Sequence, residues 1–94
     1  MKRINKIDLE IKVLRLNMIT KSPIASYVEV PVERYKKFIA QIGNYHLDWA
    51  YGKVALNRMT SEGGSVNRVF GYSSKAELYA LIDAYMSGVL AVQS

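Results

Sequence analysis

Residues 43–77 read GNYHLDWAYGKVALNRMTSEGGSVNRVFGYSSKAE, and the fold turns on how this stretch is parsed. Tyr45 and Leu47 alternate with Asn44, His46 and Asp48, the period of a half-buried strand. Ala50-Tyr51-Gly52-Lys53 has the form of a turn between two extended pieces. Val54, Leu56 and Arg58 then share one face. Ser61-Glu62-Gly63-Gly64-Ser65 reads as a loop, its paired glycines open to positive φ. Beyond it Val66, Arg68 and Phe70 face one way and Asn67, Val69 and Gly71 the other, as a short third strand. Ser74-Lys75-Ala76-Glu77 fits a capping box, a hydroxyl followed three residues later by Glu. Leu78, Leu81, Ile82, Tyr85, Met86 and Val89 trace one face of the helix it opens, which predicts a helix over about 74–91.

Upstream the pattern is less one-sided. In residues 5–20, Ile7, Leu9, Ile11 and Val13 alternate as in a strand, while Ile7, Ile11, Leu14 and Met18 fall at helical spacing. The alternation breaks at Val13-Leu14, the run suits a helix in length, and Asn5 is a good N-cap with Asp8 in the first turn. A helix over about 5–20 is expected. Residues 21–36 hold both prolines and read as a long, mobile connection. Within it Tyr27–Val30 is a short extended piece that Pro31 restricts to an edge. Residues 32–42 fit either period. Val32, Tyr35, Ile39 and Ile42 are helical in spacing; Phe38, Ala40 and Ile42 alternate.

Ninety-four residues make one domain, and half of them are apolar, as in a folded globule. The absence of Cys excludes disulfides, thiol nucleophiles and cysteine-ligated metals. No apolar run approaches the roughly 20 residues of a membrane span, and the basic start MKRINK leads into no signal-peptide core, so a cytoplasmic protein is expected. Residues 1–47 carry nine Lys/Arg against four Asp/Glu, and residues 48–94 carry four of each. The excess of positive charge therefore lies in the N-terminal half, where it serves solubility or an acidic partner such as a nucleic acid.

Four pieces carry a resemblance. They are Asp8-Leu9-Glu10 with Lys12-Val13 and Arg15-Leu16-Asn17; Gly43–Asp48 running into Ala50-Tyr51-Gly52; Glu62-Gly63-Gly64 with Val69-Phe70; and Ser74–Tyr79 leading to Gly88. Together they resemble a family of small phage-encoded accessory proteins. The resemblance implies a helix for the first piece and an extended segment before Ala50, which favours a strand near residue 37. The chain departs from the family pattern at Lys53 and Ser65, where glycines are expected. The expected fold is therefore α+β: a three-stranded antiparallel meander over about 37–71, packed against an N-terminal and a C-terminal helix. The resemblance also implies a non-enzymatic protein that binds and inhibits a host macromolecule, such as a nucleic-acid-handling defence complex, in the manner of an anti-CRISPR inhibitor.

The residues offer few chemical constellations. His46 and Asp48 would share a strand face, as a general base does with its orienting acid, but an exposed surface pair explains them, and two ligands do not close a metal site. Glu62–Ser65 could cradle a phosphate, yet it matches no nucleotide-binding signature and a hairpin turn accounts for its glycines. No cofactor is expected. Tyr45 and Phe70 suit the core. Trp49 and Tyr51 beside the turn, with Lys53, Arg58 and Arg68, and with Arg34, Lys36 and Lys37 from the other half, are the candidate partner-binding residues. On this reading the partner is a host protein or ribonucleoprotein; the alternative is a small nucleic-acid-binding domain that stacks bases on these aromatics. The apolar tail Val89–Val92 packs on the sheet or serves a homodimer.

Overall fold

A computed structural model describes residues 3–32 and 35–93. The elements in order are α1 (Lys6–Ile19), β1 (Tyr27–Val32), β2 (Tyr35–Ala40), β3 (Tyr45–Ala50), β4 (Lys53–Met59), β5 (Val66–Ser73) and α2 (Lys75–Gln93). No described helix is long and apolar enough to cross a membrane.

Local chemistry accounts for the helix ends. Asn5 caps α1 through its side chain, which accepts from the Asp8 amide at 2.9 Å, while the Asp8 carboxylate accepts from the Asn5 amide at 3.0 Å. This reciprocal pair satisfies two orphan donors. The helix ends in a Schellman motif: Ser22 N–H donates to the Asn17 carbonyl at 2.8 Å and Lys21 N–H to that of Met18 at 3.2 Å. Lys21 takes the left-handed conformation, at φ 56°. The stop thus comes two residues before Pro23. At α2, Ser74 Oγ accepts from the Glu77 amide and donates to its carboxylate.

The sheet is a meander as expected, β3–β4–β5, and it carries both helices on one face. Leu9, Val13 and Leu16 of α1 meet Tyr45, Val54 and Leu56 of the sheet and Leu78, Ile82 and Met86 of α2. Tyr45 and Phe70 join this core, and Tyr85 closes it with a hydroxyl contact to Tyr45 at 3.0 Å. Lys12 crosses between the helices to Asp83 at 2.8 Å and lies over the Tyr79 ring.

Three expectations are corrected. First, the connection at 21–36 and the strand from 37 are not what the sequence suggested. Tyr27–Val32 is a full strand that pairs with Tyr35–Ala40, giving a separate two-stranded ribbon. Gln41–Asn44 interrupts the expected first strand, and Gly43 turns the chain there at φ +92°. Asn44 secures the break: its amide donates to the carbonyls of Pro23 and Ile24 and accepts from Ser26 Oγ.

Second, the apolar row Ile7, Ile11, Leu14 and Met18 of α1 faces outward, and the opposite face of the same helix is buried. That helix has apolar residues on two sides. The side that also offers Asn17 and Lys12 wins, because both find specific partners in the fold.

Third, β5 does not alternate evenly. A bulge sets Leu56 opposite Phe70 and Asn57 opposite Arg68, so Val69 is the extra residue. Val69 and Phe70 both pack toward the helices, and Arg68 goes to the other face.

Candidate functional site

The β3–β4 hairpin is the narrowest possible. Ala50 pairs with Lys53, leaving Tyr51 and Gly52 as a two-residue turn with φ of 56° and 68°. Two successive positive φ values mark a type I′ turn, whose favoured first residue is Asn or Gly. Tyr51 holds that strained position while 92% exposed, and its ring meets Tyr72 edge-on at 6.2 Å.

The turn places its two aromatics apart. Trp49 belongs with Tyr45 and Leu47 on the helix side, where Lys6 lies 5.8 Å from its ring; Tyr51 lies with Tyr72. The expected Trp49–Tyr51 anchor is therefore not one patch. Lys53 is exposed beside the turn. Arg58 stacks 5.0 Å over Tyr45 and lines a small hollow with Ile42, Met59 and Asn67. Lys37 is exposed on β2, far along the chain on the ribbon. Lys36 lies in β2 with no described side chain, and Arg34 falls outside the described residues. Among the described candidates, Tyr51 and Arg68 share a neighbourhood, since both meet the Tyr72 ring, and Lys53 is exposed beside the turn.

Arg68 is already engaged. Its Nη2 donates to Asp48 Oδ2 at 3.0 Å, its Nε donates to Asn57 Oδ1 at 3.1 Å, and its guanidinium lies 4.4 Å over the Tyr72 ring. The Tyr72 hydroxyl also donates to Asp48 Oδ2, and this bond chiefly holds the phenol above its ordinary pKa. His46 and Asp48 do share a strand face, but the Asp48 carboxylate is held by Arg68 and Tyr72. Burial pushes the His46 imidazole below its ordinary pKa despite the nearby Asp48 charge, so it is neutral at pH 7. Its Nδ1 is buried without a hydrogen-bond partner among the described residues.

The Glu62–Ser65 loop uses its amides internally: Gly64 N–H donates to the Ser61 carbonyl and Ser65 N–H to Ser61 Oγ. Among the described residues no three His, Cys, Asp or Glu side chains stand together as metal ligands.

Sequence reasoning missed two buried asparagines. Asn44 ties the connection to the sheet, as above. Asn17 reaches across from α1 and brackets Tyr45, donating to its carbonyl at 2.9 Å and accepting from its amide at 2.8 Å. The signal for Asn17 was its place on the same helix side as Leu9, Val13 and Leu16. Sequence reasoning found the row Ile7, Ile11, Leu14 and Met18 by its spacing but did not show that it faces outward. No family model, no curated protein and no solved structure matches this chain.

Proposed function

We propose that the chain is a non-enzymatic binding protein of the phage accessory kind it resembles, acting in the host cytoplasm to inhibit a host macromolecule, with a nucleic-acid-handling defence complex as the candidate target. One observation carries this reading. Ten of the sixteen large apolar side chains left exposed among the described residues precede Gly43, in the half that also holds nine of the thirteen Lys/Arg. Ile7, Ile11, Leu14 and Met18 form a row on α1, and Tyr27, Val28, Val32 and Phe38 stand on the ribbon. Exposed apolar rows beside positive charge suit a macromolecular partner with an acidic surface.

Capture from host lysate with the tagged full chain, followed by mass spectrometry, tests the proposal. A specific protein partner is expected, and it is lost when Ile11→Glu and Phe38→Glu are combined. Recovery of no specific protein counts against it.

The second reading is a small nucleic-acid-binding domain, favoured by the same excess of basic residues. It is weakened where base stacking was expected, because Trp49 and Tyr51 do not form one patch and Arg68 is paired to a carboxylate. It predicts a mobility shift with DNA or RNA at low salt that fades steeply at moderate salt.

A further inference from the structure

β3 is the edge strand of its sheet. The hydrogen-bond phase of the hairpin fixes where its main chain points. Asn44 accepts from Met59 N–H, and the pairing of Ala50 with Lys53 continues the same phase, so the even-numbered residues bond to β4. The odd-numbered residues point the other way. Tyr45 does so and is met by Asn17, whose side-chain amide bonds both its N–H and its C=O, as a neighbouring strand would. Leu47 and Trp49 point to the same side, and among the described residues nothing meets their N–H and C=O groups.

These groups open into a cleft of about 340 Å³. Val13 and Leu14 of α1, with Lys6 and Glu10, wall it, Ile24 of the connection adds to its lining, and Leu47 and Trp49 form its β3 side. The cleft is at the small end of the roughly 300–1,000 Å³ range of ligand sites. Main-chain donors and acceptors two residues apart, beside the apolar Val13, Leu14 and Ile24 and the charged Lys6 and Glu10, match one chemistry: an extended peptide backbone.

We infer that the open edge of β3 and the adjoining face of α1 form a binding site for an extended peptide segment of another protein, which adds as a fourth strand beside Leu47 and Trp49. This goes beyond the function proposed above, since it holds whatever the target and wherever the chain comes from. The register is closed at one end by Asn17 on Tyr45 and at the other by the Tyr51–Gly52 turn. Only a short stretch of backbone is therefore read. Residues opposite Leu47 and Trp49 would turn their side chains to the helix side, against Val13 and Leu14. The recognised pattern is apolar–any–apolar. Side chains of α1 and Ile24 of the connection flank this edge.

Trp49 is the only Trp in the chain and lines the cleft, so its fluorescence reports occupancy directly. The probe is the blocked peptide acetyl-Ser-Val-Thr-Val-Ser-amide, titrated into the full chain. The expected results are a saturable change in Trp49 emission and slowed hydrogen exchange at the Leu47 and Trp49 amides. Methylating one alternating set of peptide nitrogens should weaken binding by about tenfold or more, and methylating the other set should leave it unchanged. Leu14→Glu, at a partly exposed helix position, should weaken binding without unfolding the protein. Absence of binding up to millimolar peptide, equal effects of the two methylation sets, or unchanged exchange at Leu47 and Trp49 at saturation would each overturn the inference. Protection of those amides that grows with protein concentration in the absence of peptide would make the occupant a second copy, and would equally overturn it.

Discussion

The three-stranded body and the two-stranded ribbon are built from similar material, alternating aliphatic and aromatic residues with interspersed lysines, and they use it in opposite ways. In the body, Val54, Leu56, Leu78 and Ile82 are fully buried, Lys12 is paired with Asp83 and Arg68 with Asp48, and the Asn17 side chain is matched to the main chain of Tyr45. In the ribbon, Tyr27, Val28, Val32 and Phe38 are exposed; Ala40 at its root is buried, but no described ribbon side chain joins the cluster between the sheet and the helices. A lone two-stranded hairpin is marginal in water. The ribbon is held at its root instead, where Ala40 N–H donates to Glu62 C=O and Gln41 N–H to Ser26 C=O. The lesson is that the strand period alone does not say whether a strand belongs to the core. A covering helix decides it.

The contrast can be broken from either side. Leu56→Ala, at the centre of β4, should cost about 2–5 kcal/mol, whereas Phe38→Ala on the ribbon should stay within about 0.5 kcal/mol. Urea denaturation of both variants measures this, and equal losses would mean the ribbon belongs to the cooperative core. Next in size is Asn17→Leu. It strips the Tyr45 amide and carbonyl of their partners, and a loss of about 1–3 kcal/mol is expected. Hydrogen exchange at the Tyr45 amide should accelerate with it. Smaller again is Tyr51→Asn, which places a residue suited to positive φ in the turn. Stability should rise by about 0.5–1 kcal/mol in a thermal melt, and no gain would mean the Tyr51–Tyr72 contact outweighs the strain.

The smallest effect concerns pH. The folded His46 has a lowered pKa, so the unfolded chain takes up the proton first. The stabilising preference for neutral His46 is complete above about pH 6.5 and is lost as pH falls through the folded value. The stability difference between wild type and His46→Gln, followed by urea midpoints from neutral to mildly acid pH, should therefore shift against the wild type as pH falls. A parallel course for the two proteins would remove His46 as the cause.

What the sequence disclosed was local. The Asn5–Asp8 and Ser74–Glu77 caps, the turn at Tyr51–Gly52 and the loop before Val66 are each encoded within about four residues, and each stands where it was read. What it concealed depended on distant partners. Two apolar sides of α1 compete, and only Asp83 and Tyr45, far along the chain, settle which goes inward. The break at Gln41–Asn44 depends on Asn44 meeting Pro23 and Ile24. The bulge at Val69 moves Arg68 from the helix side to the outer face. For the candidate site the residue types were legible but their grouping was not. Tyr51 and Gly52 both adopt positive φ, and the turn they make parts Tyr51 from Trp49.

The two helices lie side by side, although one precedes all five strands and the other follows them. Lys12 meets Asp83 across 71 positions of sequence, and Gln93 Nε2 donates to the carbonyl of Ile19 across 74. The half of the lid that α2 supplies is therefore synthesised after the sheet it covers. Until α2 emerges, β4 and β5 lack the helix that covers Val54, Leu56 and Phe70, and the meander waits with an apolar face open to solvent. Such long-range closure slows folding and lengthens exposure of unpaired strands. A nascent chain of this protein should thus reach its native state only after the C-terminal helix clears the ribosome, and truncation within α2 should leave it unfolded rather than merely weakened.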